Sequence, residues 1–290
     1  MKAAILTDRS VLRIQGPEAP HFLNNLVTSS VGTLEPGNAR YSALLTPQGK
    51  IIADFFVVGQ ADGFLLDVRA GQAEELRKRL MLYKLRAKVT LTIEDLAVVS
   101  LFGGEAPPVL TMTFADPRLS ALGWRAIMAP DDLHLLAEHE VEQVSEAEYH
   151  AHRIGLGVPE GGKDFAFGDA FPHEADMDQF GGVDFRKGCY IGQEIVSRMQ
   201  HRGTARTRIV PVAITGPAEP GSEITAGERS LGKLGSVSGT QGLATLRLDR
   251  AEDVLNAGEP IRAGEASLTL QRPSWAQFRF PGDPLPEAAQ

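Results

Sequence analysis

A single cysteine, Cys189, stands among 290 residues, so no intramolecular disulfide can form and a disulfide-stapled scaffold is excluded. The usage points to a reducing compartment. The start, MKAAILTDRS, places Asp8 and Arg9 early and lacks the apolar stretch and small-residue cleavage site of a secretory signal. Together these features predict a cytoplasmic protein. Long apolar runs are missing as well: Ile51 to Val58 and Leu96 to Phe102 fall far short of the roughly 20 residues a membrane span needs, and Asp54 interrupts the first. Positive charge is in deficit, with 29 Lys and Arg against 37 Asp and Glu, net charge −8 and pI near 5.4. Such a surface repels phosphate backbones, which excludes general nucleic-acid binding. There is no internal repeat, no GxSxG elbow and no HExxH motif.

What is present is a globular composition, 43% hydrophobic and 23% charged, with length for two or three domains. Ala3 to Thr7 and Val11 to Gln15 read as strands, and Phe22, Leu23 and Leu26 give Glu18 to Val27 a helical spacing. A hairpin is expected from Arg40–Leu45 and Lys50–Val58 around Thr46-Pro-Gln-Gly49, then a strand at Phe64–Val68, a charged helix at Gln72–Tyr83 and a strand at Val89–Ile93. The GGEAPP run near residue 105 reads as a surface loop. Ser145-Glu-Ala-Glu148 is a capping box, predicting a helix from Glu146 to Ile154 that stops at Gly155. Gly155 to Asp184 has no periodicity, and an irregular stretch this long inside a compact protein is usually functional. Past Thr207 the pattern turns to short strands between Gly and Pro, which predicts a C-terminal barrel or sandwich without helices, ending in a frayed tail at 281–290.

Two metal or phosphate motifs fail on inspection. Gly157 to Asp164 nearly matches a phosphate-binding P-loop, but Asp164 replaces the hydroxyl residue and no strand and helix flank it. His150 and His152 diverge by about 200° on a helix, so they cannot share a metal. One segment carries chemistry: Lys187-Gly188-Cys189-Tyr190-Ile191-Gly192-Gln193-Glu194, with Ile191, Ile195, Val196 and Met199 at helical spacing behind it. A cysteine just before or within a helix's first turn, beside Arg186 and Lys187, is placed to ionise and to stay exposed. The alternative is a small buried hydrophobe packed against Ile191 and Val196. Downstream, Arg198, His201, Arg202, Arg206 and Arg208 either form a solvated face or grip an anion such as a glutamate tail.

Residues 187–194 resemble the K-G-C-Y-x-G-Q-E signature of the YgfZ family of folate-binding proteins, a branch of the aminomethyltransferase (T-protein) superfamily of the glycine cleavage system. The resemblance extends over VLRIQGPEAPHFLNNLVTSSVGTLEPGNARYSALLTPQGKIIADFFVV, RKRLMLYKLRAKVTL and SLGKLGSVSG. It implies an α+β, aminomethyltransferase-like multi-domain ring of antiparallel sheets and helices with a C-terminal β-barrel. The implied domains are 1–45 with 145–205, then 46–144, then the barrel at 206–280. It further implies a tetrahydrofolate cofactor, with Asp54, Arg153, Glu174, Arg198 and Arg202 as its contacts, and Lys187, Gly188, Cys189, Tyr190, Gly192, Gln193 and Glu194 as the working signature, with no metal. The implied role is an accessory protein for synthesis or repair of iron–sulfur clusters, partnered by client or assembly proteins, with Cys189 as functional thiol. A folate-dependent aminomethyl or one-carbon transferase and a non-catalytic scaffold are the alternatives. Ala53 stands where the T-protein's G-G-x-x-D-D stretch has an acid and Gly155 where its R-x-E-x-G-x-P segment has Glu, which tells against aminomethyl transfer.

Overall fold

The computed structural model describes residues 1–104, 110, 112–203 and 205–284. In chain order the elements are β1 (Lys2–Ile5), β2 (Arg9–Gln15), α1 (Ala19–Asn24), β3 (Ala39–Leu45), β4 (Ile51–Gln60), β5 (Gly63–Arg69), α2 (Ala70–Lys84), β6 (Thr90–Glu94), β7 (Ala97–Phe102), β8 (Thr113–Ala115), β9 (Trp124–Met128), α3 (Leu135–Glu138), β10 (Glu142–Val144), α4 (Glu146–Gly155), α5 (Gln193–Arg202), β11 (Thr207–Thr215), β12 (Glu223–Ala226), β13 (Arg229–Ser238), β14 (Gln241–Arg247), α6 (Leu248–Asn256), β15 (Ile261–Ala263) and β16 (Ala266–Leu270). The strands make two five-stranded sheets, β3-β4-β5-β2-β6 and β10-β1-β7-β9-β8, and a closed barrel, β11-β14-β13-β12-β15-β16. This is the expected α+β body with a C-terminal barrel. No helix among the described residues is long and apolar enough to cross a membrane.

Local chemistry explains most elements. The Ser145 hydroxyl accepts from the Glu148 amide and starts α4 as the capping box requires. On α2, Ala73, Leu76 and Leu80 fall on one face and enter a core with Phe22 and Leu23 of α1. β4 is buried on both faces: Ala53, Phe55 and Val57 join that core, while Ile51 and Phe56 join a second one. The barrel departs from the expected strands-only pattern, because α6 follows β14 and buries Leu248, Ala251 and Val254 at helical spacing. Residue 45, expected as a domain boundary, lies at the turn of the hairpin β3–β4, whose strands pair from Ala39↔Val58 to Leu45↔Ile51. Residues 105–108 of the GGEAPP run and the tail beyond 284 lie outside the described residues.

The irregular stretch from 155 to 184 is interior. It contributes Val158, Phe165, Ala170, Ala175, Met177, Phe180 and Val183 to the second core. Its main chain finds partners there: Ile51 N–H donates to Ala170 O (2.9 Å), Gly168 N–H to Ile51 O (2.7 Å) and Asp184 N–H to Thr28 O (3.0 Å). Asp164, the residue that spoiled the P-loop match, accepts from Arg153 Nη1 (2.7 Å), Glu160 N (2.9 Å) and Ser236 N (2.7 Å), fastening the stretch to α4 and the barrel.

Between the two sheets lies a buried ionic network. Asp67 on β5 accepts from Arg9 Nε (2.6 Å) and Arg125 Nη1 (2.7 Å); Asp116 accepts from Arg118 Nη2 (2.8 Å) and Arg125 Nε (3.1 Å). Tyr149 of α4 takes a further bond from Arg125 Nη2 (2.8 Å), and the Phe56 ring lies 4.2 Å from the Arg125 guanidinium carbon. Burial alone would raise Asp116, yet Arg118 and Arg125 outweigh it and hold the acid at about 2. Glu160, buried beside Arg153, Lys163 and Arg9, is likewise held at about 2.

Two tests follow from this packing. Arg125→Ala strands Asp67 and Asp116 with one cation fewer and should cost about 3–5 kcal/mol, read by denaturant unfolding; a loss below 1 kcal/mol contradicts the network's role. For acid, Asp116 and Glu160 have folded values near 2 against ordinary values of 3.8 and 4.5. Their contribution is therefore full above pH 4.5 and lost as pH falls toward 2, so the melting temperature should drop across that window. Asp54 and Asp176, raised by burial, act in the opposite sense at higher pH.

Candidate functional site

The signature loop is held at both ends. The Lys187 ammonium donates to three backbone carbonyls, Asn24 O, Val27 O and Ser29 O, each at 2.7 Å. Asn24 is the last residue of α1, where helix carbonyls lack intrahelical donors, so a cation completes that end. Burial pulls the Lys187 pKa down to about 8, with Asp184 opposing. At the other end Gly192 takes φ 80°, and a Cβ there would stand 2.5 Å from Thr46 O; across the contact a Cβ on Gly49 would meet Ile195 at 3.1 Å. Only glycines let the β3–β4 turn touch the start of α5. Between these anchors Gly188 and Cys189 are exposed. The exposed reading of the thiol holds, and the buried one does not. The helix starts later than expected, at Gln193, because Gly192 ends the loop in a left-handed turn.

Tyr190 points inward: its ring is buried, its hydroxyl has no partner among the described residues, and burial lifts its pKa to about 12. Gln193 N–H donates to Tyr190 O (3.3 Å), and Glu194 is exposed, paired with Arg198 at 2.6 Å. Arg202 is exposed.

Asp54 and Arg153 lie deep. Asp54 is 7% exposed and accepts from the Tyr41 hydroxyl at 2.7 Å. A Cβ added to Gly161 would come within 2.4 Å of both Asp54 Oδ1 and the Phe167 ring, so the 161–167 loop covers the acid. Arg153 is 1% exposed and spends its guanidinium on Asp164, Glu160, Ser236 and Val158 O. Glu174 is half-buried; its carboxylate accepts from Phe171 N (2.9 Å) and lines a cavity of about 490 Å³ with Lys163, Asp169, Thr207 and Lys233. A second cavity, about 310 Å³, is lined by His173, Arg206, Arg208 and Arg279 together with Asp249 and Glu252. Arg208 is itself buried and paired with Asp178 at 2.6 Å.

The histidine pair separates as the helix geometry requires: His152 Nε2 meets Ala121 O, while His150 faces Asp8 and Glu146. The ligand atoms of Asp8, Glu146 and His150 lie within 4.8 Å of one another, a spacing that could hold a metal. The Lys163 ammonium stands there instead, 3.0 Å from Asp8 and 2.6 Å from His150 Nε2. The carbonyls under Lys187 were invisible to sequence reasoning, since main-chain acceptors leave no trace in residue types.

Comparison with known proteins fits this architecture. Residues 2–130 match the GCVT N-terminal domain and residues 206–278 the CAF17 C-terminal beta-barrel domain. The chain is 32% identical to the mitochondrial iron-sulfur cluster assembly factor IBA57 of Mus musculus, covering 93% of this chain and 84% of that one. The Homo sapiens protein of the same name is 31% identical at the same coverage. It belongs to the IBA57 family. The Pyricularia oryzae homologue is 32% identical over 90% of this chain and 75% of its own. The glycine cleavage aminomethyltransferase T of Bartonella henselae superposes with TM-score 0.76, covering 96% of this chain and 87% of that one; at 17% identity this shows the fold alone. The cytoplasmic location expected from the sequence is overturned, because these IBA57 relatives are mitochondrial proteins. A single cysteine does not discriminate between one reducing compartment and another.

Lys187→Met removes a donor shared by three carbonyls. It should cost about 2–3 kcal/mol and open the loop to limited proteolysis between 185 and 192; a variant with parental stability and protease resistance contradicts the clamp.

Proposed function

We propose that this chain is an accessory factor for synthesis or repair of iron–sulfur clusters in other proteins, that it binds tetrahydrofolate, and that Cys189 is its working thiol. The observation that carries the reading is the geometry of the signature loop: an exposed thiol on a segment fastened by Lys187 at one end and by the Gly192–Thr46 contact at the other. A thiolate is the natural ligand of an iron–sulfur species. One cysteine cannot complete a four-ligand cluster, so cluster cargo touching Cys189 takes its other ligands from elsewhere. The names of the IBA57 relatives support the assembly role.

The folate half rests on the two cavities around residues 173–174 and 206–208. The larger offers the Glu174 carboxylate for a heterocycle's N–H groups. The smaller is lined by Arg208, whose buried Nε has no partner among the described residues and can donate to an anionic tail. Arg198 and Arg202, on α5, are not among the residues that line it. Asp54 reaches a pterin only if the 161–167 loop withdraws. That cover, with Ala53 and Gly155, argues against one-carbon transfer.

In a deletion strain, Cys189→Ala should be made at parental level and melting temperature yet fail to restore iron–sulfur enzyme activity, whereas Glu174→Gln should weaken tetrahydrofolate binding at least tenfold by calorimetry. Full complementation by the first variant removes the thiol role, and no saturable binding by the parent protein removes the folate role.

A further inference from the structure

Among the described residues, three of the five exposed large hydrophobic residues fall within five positions around the end of α2: Met81 (41% exposed), Leu82 (75%) and Leu85 (87%). They sit in Arg77-Lys-Arg-Leu-Met-Leu-Tyr-Lys-Leu-Arg-Ala-Lys88, which holds six cations and no acid in a chain of net charge −8. Arg77 and Lys78 pair with Glu74, and Arg79 with Glu75. Lys84, Arg86 and Lys88 have no ion-pair partner among the described residues. Leu85 adds a conformational cost. Ala87 N–H donates to Lys84 O (2.8 Å), closing a turn whose second residue, Leu85, has φ 47° and ψ −107°, a region glycine occupies. An almost fully solvated leucine in a glycine conformation gains nothing inside this molecule.

We infer that this corner is a docking site for a protein partner with an acidic rim around an apolar pocket. A second copy of the chain is disfavoured because a symmetric contact would oppose the unpaired cations of one copy to those of the other. The acidic rim follows from charge complementarity with Lys84, Arg86 and Lys88, and the apolar pocket from the exposed Leu82 and Leu85 beside them. The corner lies outside the signature and both cavities, so this inference stands apart from the folate and thiol readings.

Photo-crosslinking in cells from a benzoylphenylalanine placed at Met81 tests it. The expected result is an adduct to one protein, identified by mass spectrometry, whose crosslinked surface is rich in Asp and Glu. Leu82→Ser/Leu85→Ser and Lys84→Glu/Arg86→Glu should each reduce that adduct at least tenfold. Leu85→Gly should reduce it while leaving the melting temperature at or above the parent's, since the substitution relieves the backbone. A crosslink to lipid or to this chain itself, no adduct, or an adduct insensitive to these variants overturns the inference.

Discussion

Two carboxylates buried between the sheets, Asp67 and Asp116, constrain everything around them. Without Arg9, Arg118 and Arg125 each would be an uncompensated charge in a poorly solvated interior. Satisfying both at once fixes β2, β5 and β9 and the chain after β8 relative to one another, because a guanidinium donates in a rigid plane. Arg125 bridges the two acids and reaches Tyr149, so α4 is set by the same network. From α4 the arrangement passes through Arg153 and Asp164 to the barrel strand carrying Ser236.

That rigidity is what permits an irregular segment to fill the centre. The 155–184 stretch has no sheet or helix to satisfy its main chain, and borrows partners from β4, from Thr28 and from the barrel. It delivers the chain to Asp184, and Lys187 then closes the gap to α1. The signature is therefore a sequence of fasteners around one exposed residue: Lys187 for carbonyls, Tyr190 for the core, Gly192 for the β3–β4 turn. In this arrangement Lys187, Tyr190 and Gly192 position the loop, while Cys189 faces solvent, as does the exposed Glu194–Arg198 pair.

Much of this was legible in the sequence where the signal is local. The capping box at Ser145, the charged helix at Gln72–Tyr83, the β3–β4 hairpin and the barrel strands follow from local composition, spacing and turn residues. The 155–184 stretch was recognised as significant but not as core, since its apolar residues lack a period. α6 was missed although Leu248, Ala251 and Val254 carry helical spacing, because the Gly and Pro content around it suggested strands. Arg153, expected at a ligand, proved to be an interior ion-pair partner; a single sequence shows a cation but not whether its acids, here Asp164 and Glu160, fold back onto it. The exposure of Cys189 was inferred from polar neighbours, and the carbonyl cradle beneath Lys187 had no signal at all.

The central claim is that a fixed loop presents Cys189 to solvent in the native state. Iodoacetamide labelling across a urea series, read by intact mass, tests it most directly. The account predicts one adduct per native chain, at a rate that stays constant with urea until the unfolding transition. Labelling that rises only with the unfolded fraction would contradict it.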